Sequence, residues 1–250
     1  MLKLFEGKDN KLYDFCKRDS FGTKIAGNYK TYENNFPFAM FYVQLNDENK
    51  ITAAASKIYG SVVLTASDDA DIEEISEFLK VVGYITVSCE LEVCKRLKLE
   101  VTRDGNIVEF RQNEREPQKA KIEYFPSLPK IYDLLKSVDF NLGEKSDWMA
   151  DISMRMRKDV SVWSTVEEEK ILACACALYI TDSAVFLGCV ACDPETRGAG
   201  FGSDVVLKLI KTVGQGKRIN LFCKNGKIVE FYKKLGFDVV GKWAESEYKG

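Results

Sequence analysis

The chain has 250 residues, of which 46% are hydrophobic and 30% are charged, and its formal net charge is −2. This composition is typical of a globular protein of one or two domains, and the near-neutral charge gives no general attraction to nucleic acid or anionic membranes. No apolar run approaches the roughly 20 residues that a membrane span needs. We therefore expect no nucleic-acid partner, no membrane partner and a cytoplasmic location.

The chain contains eight cysteines and no histidine. Without histidine, the usual general base and the usual nitrogen ligand for metals are missing, so catalysis must use carboxylates, Tyr, Lys, Cys or water. Most of the cysteines lie inside apolar runs, where they act as small core side chains in a cytosolic protein. We expect neither a metal site nor disulfides.

The first 60 residues predict a short helix from Lys11 and then a hairpin. Gly22 and Gly27 are expected to interrupt the helical segment. Residues 39–45 and 51–59 are rich in apolar residues, as strands are, and a polar turn lies between them.

A strand-helix-strand-helix-strand order occurs twice. It covers residues 61–65, 72–82, 84–88, 90–97 and 99–101 in the first half, and residues 185–192, 202–213, 218–223, 227–235 and 237–240 in the second. Ser67 or Asp68 is predicted to cap the first helix. The charged stretch 111–126 contains Pro117 and is the natural boundary. We predict one domain in residues 1–112 and a second in residues 113–250, where helices at 127–136 and 146–157 precede strands at 161–166 and 170–180.

A glycine-rich turn, residues 193–203, joins the strand at 185–192 to the helix that follows. Its alternating glycines let the backbone approach a ligand closely, and the N–H groups of a first helical turn attract an anion such as phosphate. Arg197 adds a fixed positive charge. A Walker loop is excluded because Ser203-Asp204 follows Gly202, and the G-x-G-x-G spacing differs from the dinucleotide fingerprint. The first repeat has acids at the corresponding turn, residues 67–71, and these repel phosphate.

The pattern Arg197-x-x-Gly200-x-Gly202 resembles the pyrophosphate loop of the GCN5-related N-acetyltransferases (GNATs). The spacing of Asn225, Tyr232 and Gly236-Phe237 is similar to a second block of that family. The resemblance covers about residues 120–250, while the N-terminal half resembles a degenerate copy without the phosphate turn. It implies an α/β (α+β) fold of two tandem acyl-CoA N-acyltransferase-like domains, each with a mixed, mostly antiparallel twisted sheet flanked by helices.

The resemblance also implies an activity, the transfer of an acetyl group from acetyl-CoA to a primary amine by direct attack, without a metal. Tyr232 is the implied general acid, since a phenol pKa near 10 and a thiol pKa near 8.5 permit proton transfer. Glu195 is a candidate catalytic residue, and the general base stays open among Asp182, Asp193 and Glu195. The residues implied to bind the cosubstrate are Val190, Ala191, Cys192, Arg197, Gly198, Ala199, Gly200, Phe201, Gly202, Ser203 and Asn225.

Other functions stay open at this point. The chain is alternatively a non-catalytic CoA-binding sensor or a protein-interaction module. A tandem transferase that uses aminoacyl-tRNA or fatty acyl-CoA is disfavoured by the near-neutral charge and the intact glycine turn. The acceptor amine, a small molecule or a protein amino group, is not identified. A homodimer also stays open. Acidic residues 167–169 weakly favour a cationic acceptor.

Overall fold

A computed structural model describes residues 2–7, 10–33, 35–224 and 226–248. The helices are α1 (Lys11–Cys16), α2 (Ser20–Tyr32), α3 (Ile72–Val82), α4 (Leu91–Arg96), α5 (Leu128–Ser137), α6 (Lys145–Arg157), α7 (Phe201–Val213) and α8 (Lys227–Lys234). The strands are β1 (Lys3–Leu4), β2 (Ala39–Leu45), β3 (Ile51–Ile58), β4 (Ser61–Ala66), β5 (Thr86–Glu90), β6 (Arg103–Phe110), β7 (Lys121–Glu123), β8 (Val162–Glu167), β9 (Ile171–Ile180), β10 (Ala184–Cys192), β11 (Arg218–Cys223) and β12 (Phe237–Glu247).

The chain divides into two compact units, and neither is continuous in sequence. Unit 1 contains residues 1–108, 222–229 and 239–250, and unit 2 contains residues 109–221 and 230–238. The boundary between residues 112 and 113 that the sequence predicts stays a prediction.

Unit 1 contains a sheet in which β1, β2, β3, β4 and β5 are neighbours in that order. The pairs are antiparallel except for β4 and β5, which are parallel. Two local predictions for this unit are wrong. Helix α2 runs through Gly22 and Gly27, because a side chain at Gly22 would lie 2.2 Å from the carbonyl oxygen of Cys16 and only glycine permits this approach to α1. Asp71, which accepts a hydrogen bond from Glu74 N, caps α3 instead of Ser67 or Asp68.

In unit 2 the strands β7, β8, β9, β10 and β11 are neighbours in that order. The pairs are antiparallel except for the parallel pair of β10 and β11. Helices α5 and α6 pack on β8, β9 and β10 around Trp163, which is fully buried. Trp148, Ile152 and Met156 all join this core, as their helical spacing requires. The predicted fold class, a mixed and mostly antiparallel sheet flanked by helices, is confirmed.

Candidate functional site

Strand β10 separates from β11 part-way along its length. Parallel pairing joins Ala184 to Arg218 and continues to the pair Leu187–Leu221, which is the last in the described part of the chain. Strand β10 itself continues to Cys192. The backbone of residues 188–192 therefore has an edge that does not pair with β11, and its N–H and C=O groups suit an extended polar ligand.

A β-bulge lies where the two strands separate. The register of β10 against β9 shifts between Gly188 and Ala191, and Cys189 has a φ of 50°, which is unusual for a residue with a side chain. Burial raises the pKa of the Cys189 thiol to about 12. This thiol is thus neutral near pH 7 and unsuited to carry an acyl group.

This burial leads to a chemical prediction. We expect iodoacetamide at pH 8 to leave Cys189 unmodified in the folded chain, because only about one thiol in 10⁴ is ionised at that pH. Mass spectrometry of the alkylated protein measures this, and alkylation in guanidinium chloride, which exposes all eight cysteines, is the control. Modification of Cys189 within minutes under native conditions would show that its thiol is neither buried nor neutral.

The glycine turn follows β10 directly. Pro194–Thr196 form a 3₁₀ turn in which the Asp193 carboxylate accepts a hydrogen bond from Glu195 N at 2.9 Å. Gly198 and Gly200 then adopt φ values of 90° and 86°, which side chains disfavour. Gly200 is the N-terminal cap of α7. The first N–H groups of α7 therefore have no hydrogen-bond acceptor within the helix itself. Arg197 is exposed beside them.

A buried carboxylate fixes the first turn of α7. Asp204, whose side chain is 4% exposed, accepts hydrogen bonds from Arg115 Nη2 at 2.8 Å and from the backbone N–H groups of Gln118 and Lys119, each at 3.0 Å. The same Arg115 Nη2 would lie 3.1 Å from a Cβ on Gly200. The segment from Arg115 to Lys119 is therefore tied to the start of α7, beside the glycine turn.

Tyr232 lies in α8 and is buried, with 6% of its surface exposed. Its ring makes edge-to-face contacts with Phe231 and Phe237, at centroid distances of 5.0 and 5.5 Å. Phe231 also lies beside α7, since a Cβ on Gly202 would be 3.7 Å from its Cζ. Tyr232 and the glycine turn belong to the same compact unit.

Glu195 lies in the 3₁₀ turn, and its side chain is 82% exposed. Lys170 forms ion pairs with Asp193 at 2.7 Å and with Glu195 at 3.1 Å. The hydrogen bond from Lys170 lowers the pKa of Asp193, which keeps that carboxylate ionised. Asp182 is exposed in the turn that joins β9 to β10. None of these carboxylates lies at the bulge in β10.

Two further predictions concern Asn225 and the turn of unit 1 that corresponds to the glycine turn. Asn225 lies outside the described residues, so its predicted contact with the cosubstrate stays a prediction.

In unit 1 the turn that corresponds to the glycine turn presents carbonyl groups to a cation, since Arg96 donates hydrogen bonds to Ser67 O, Asp68 O and Ala70 O. A phosphate needs donors instead of acceptors. The description of the N-terminal half as a degenerate copy nevertheless stays a prediction.

One buried charged group on α6 is not evident from the sequence. Arg155 of α6 is buried, donates a hydrogen bond to Asp151 at 2.9 Å and lies over the ring of Tyr179, with 4.7 Å between the guanidinium carbon and the ring centroid. The charges of Arg155 and Asp151 both act on the pKa of Cys189. The available signal was the pair of opposite charges four residues apart on one predicted helix.

The described residues were also searched for a metal site and for a membrane-spanning helix. Among the described residues, no group of three or more His, Cys, Asp or Glu side chains is arranged to hold a metal ion. None of the described helices is both long and apolar enough to cross a membrane.

Comparison with protein families places this site in a known context. Residues 158–239 match a family model described as an acetyltransferase (GNAT) domain. This segment of the chain is therefore similar to a GNAT domain. The matched segment includes β10, the glycine turn and Tyr232. The GNAT family binds acetyl-CoA in general, and the similarity supports acyl-CoA N-acyltransferase chemistry. Comparison with curated protein sequences gives no match.

Solved structures match the fold over the whole chain. A Drosophila protein is 13% identical with a TM-score of 0.67, and the match covers 98% of both chains. A tandem GNAT protein from the clavulanic acid biosynthesis pathway is 7% identical with a TM-score of 0.61, over 98% of this chain and 97% of that one. A GNAT-family acetyltransferase from Colwellia psychrerythraea is 11% identical with a TM-score of 0.58, over 100% of both. At these identities the likeness shows the fold alone.

Proposed function

We propose that this protein is an acetyl-CoA-dependent N-acetyltransferase that acetylates a primary amine. The observation that carries the proposal is the separation of β10 from β11, which leads directly into the glycine turn and the first turn of α7. The unpaired edge of β10 suits an extended amide arm, and the N-terminus of α7 suits a pyrophosphate. The two features follow each other in sequence within one unit, so one ligand could contact both.

The residues fit acetyl-CoA as the cosubstrate. The pyrophosphate would bind the backbone N–H groups of the turn from Arg197 to Ser203, where Gly198 and Gly200 leave the backbone uncovered. The pantetheine arm would pair with the open edge of β10 at Val190, Ala191 and Cys192. Its thioester would then lie near the bulge, since a strand rises about 3.3 Å per residue and the arm extends away from the turn.

The proposed reaction is direct transfer. The amine nitrogen attacks the thioester carbonyl carbon, so a C–N bond forms as the C–S bond breaks. Tyr232 donates its hydroxyl proton to the departing sulfur, and the proton that the nitrogen loses returns to Tyr232 through water. Glu195 stays a candidate base predicted from the sequence, which would take the first proton of the ammonium group before the attack, and its exposure would require a water to relay that proton.

The glycine turn provides a matched test of this proposal. We expect Gly200→Ala to weaken acetyl-CoA binding at least tenfold, because a side chain at φ 86° strains the turn and approaches Arg115. Gly216→Ala is the control. Gly216 has a φ of 69° in the turn after α7, and its Cβ would meet open space. Both variants should lose about 1 kcal/mol of stability, and only the first should lose affinity.

Calorimetric titration with acetyl-CoA measures the binding, and release of free thiol with a panel of primary amines measures turnover. Equal affinities of the two glycine variants would contradict the assigned phosphate site. A wild-type protein that gives no heat with acetyl-CoA would exclude the proposed function. Tight binding without thiol release for any amine would favour the alternative, a non-catalytic CoA-binding protein.

A further inference from the structure

The bulge in β10 has a charged pair on the α6 side of the sheet. Asp151 and Arg155 are four residues apart on α6, so their side chains lie on the same face of the helix. Their Oδ2 and Nε atoms are 2.9 Å apart. The Arg155 side chain is 7% exposed, whereas that of Asp151 is 37% exposed and therefore reaches solvent. The buried charge is thus fixed and the outer carboxylate is accessible.

The position of the pair is set by β9 and β10. The Arg155 guanidinium lies over Tyr179, and Tyr179 is the register partner of Phe186, two residues before the bulge begins. Helix α6 also packs against the bulge itself, because Cys189 lies in the same core cluster as Ile152 and Met156, the sequence neighbours of Asp151 and Arg155. The pKa of the Cys189 thiol, which burial raises, is lowered by Arg155 and raised by Asp151. The carboxylate therefore lies near the place where the proposed function puts the thioester.

Two of the other candidate carboxylates, Asp193 and Glu195, follow the end of β10. Asp193 is four residues beyond Cys189, which corresponds to roughly 13 Å of extended strand. Asp193 and Glu195 are also engaged by Lys170. An alkyl ammonium with a pKa of about 10.4 is less than one part in 1,000 neutral at pH 7, so the acceptor needs a carboxylate close to the thioester.

We propose that Asp151 binds the ammonium group of the acceptor and takes its first proton, and that Arg155 is the positioning residue that holds the Asp151 carboxylate. This inference rests on the proposed function and narrows it to cationic amines. The proton taken by Asp151 passes to water, and the neutral amine attacks the thioester. The second proton lost by nitrogen replaces the proton that Tyr232 gives to sulfur. The products are the amide, CoA thiol and one proton.

The test compares Asp151→Asn with Asp147→Asn, which removes an exposed charge from the same helix. Thiol release is measured at saturating acetyl-CoA with tyramine, spermidine, glucosamine and lysine as acceptors. At pH 7 we expect Asp151→Asn to lower kcat/KM for the amine about 100-fold, with acetyl-CoA affinity within twofold of wild type. Asp147→Asn should match wild type, and Asp151→Glu should restore part of the activity.

The pH dependence separates chemistry from damage to the fold. Without Asp151 the reaction depends on amine that is already neutral, so log kcat/KM for an alkylamine with a pKa of about 10.4 should rise by about one per pH unit between pH 7 and 9. The wild-type slope should be smaller. Arg155→Gln should share the steep slope if Arg155 positions the carboxylate, whereas a merely structural arginine would lower stability without changing the slope.

The outcomes for this inference and for the proposed function are distinct. Wild-type turnover together with an unchanged Asp151→Asn variant overturns the role of Asp151 and leaves the acetyltransferase in place. The role of Asp151 is also overturned if Glu195→Gln, and not Asp151→Asn, shows the loss at pH 7 and the steep slope. A wild-type protein that does not bind acetyl-CoA, or turns over none of the amines, overturns both.

Discussion

Tyr232→Phe is expected to reduce kcat about 1,000-fold while acetyl-CoA binds as it does to wild type. The hydroxyl is the group that protonates the departing CoA thiolate in the proposed reaction, and general acid catalysis contributes 10²–10⁴-fold. Phenylalanine keeps the edge contacts of the ring with Phe231 and Phe237, so the packing of α8 should persist. Steady-state thiol release and calorimetric titration with acetyl-CoA measure the two effects separately.

Tyr132→Phe is the matched control for this experiment. Tyr132 is also buried, and its hydroxyl donates a hydrogen bond to Gly143 O at 2.7 Å. Its removal should cost about 1 kcal/mol of stability and leave turnover within twofold of wild type. A Tyr232→Phe variant that keeps wild-type kcat would exclude Tyr232 as the acid. A variant that loses acetyl-CoA binding as well would indicate a structural role.

Asp204→Ala is expected to destabilise unit 2 by about 3 kcal/mol. The substitution removes the acceptor of three hydrogen bonds and leaves the backbone N–H groups of Gln118 and Lys119 without the partner that they have in the folded chain. Because the Arg115 side chain is about half exposed, water partly replaces its lost partner, and most of the effect comes from the two N–H groups. Thermal unfolding and denaturant midpoints measure the loss.

A proteolysis measurement and a control variant make this stability test specific. Trypsin should cleave after Arg115 and Lys119 faster in Asp204→Ala than in wild type, because Asp204 no longer holds that segment. Asp133→Ala is the control, since it removes an exposed carboxylate whose partner is Lys145, and it should cost less than about 0.5 kcal/mol. If the two variants were equally stable, the buried anchor would have no energetic importance.

The order of most helices and strands and the glycine turn could be predicted from the sequence because both are encoded locally. Helical periodicity, strand alternation and the spacing of Gly198, Gly200 and Gly202 depend on neighbours within a few residues. The glycine conformations that the turn requires are present at Gly198 and Gly200. The same local reasoning failed at Gly22, where the glycine serves the close approach of α1 to α2 and does not end a helix.

Only the tertiary structure decided which polar groups meet at the bulge. Asp151 and Arg155 are more than 30 residues from Cys189 in sequence, and the packing of α6 on β9 and β10 brings their charges to it. Asp204 likewise lies in the first turn of α7, and the fold alone brings it into contact with the segment from Arg115 to Lys119. Long-range pairing of this kind depends on side-chain packing between distant elements, which no local pattern in the sequence records.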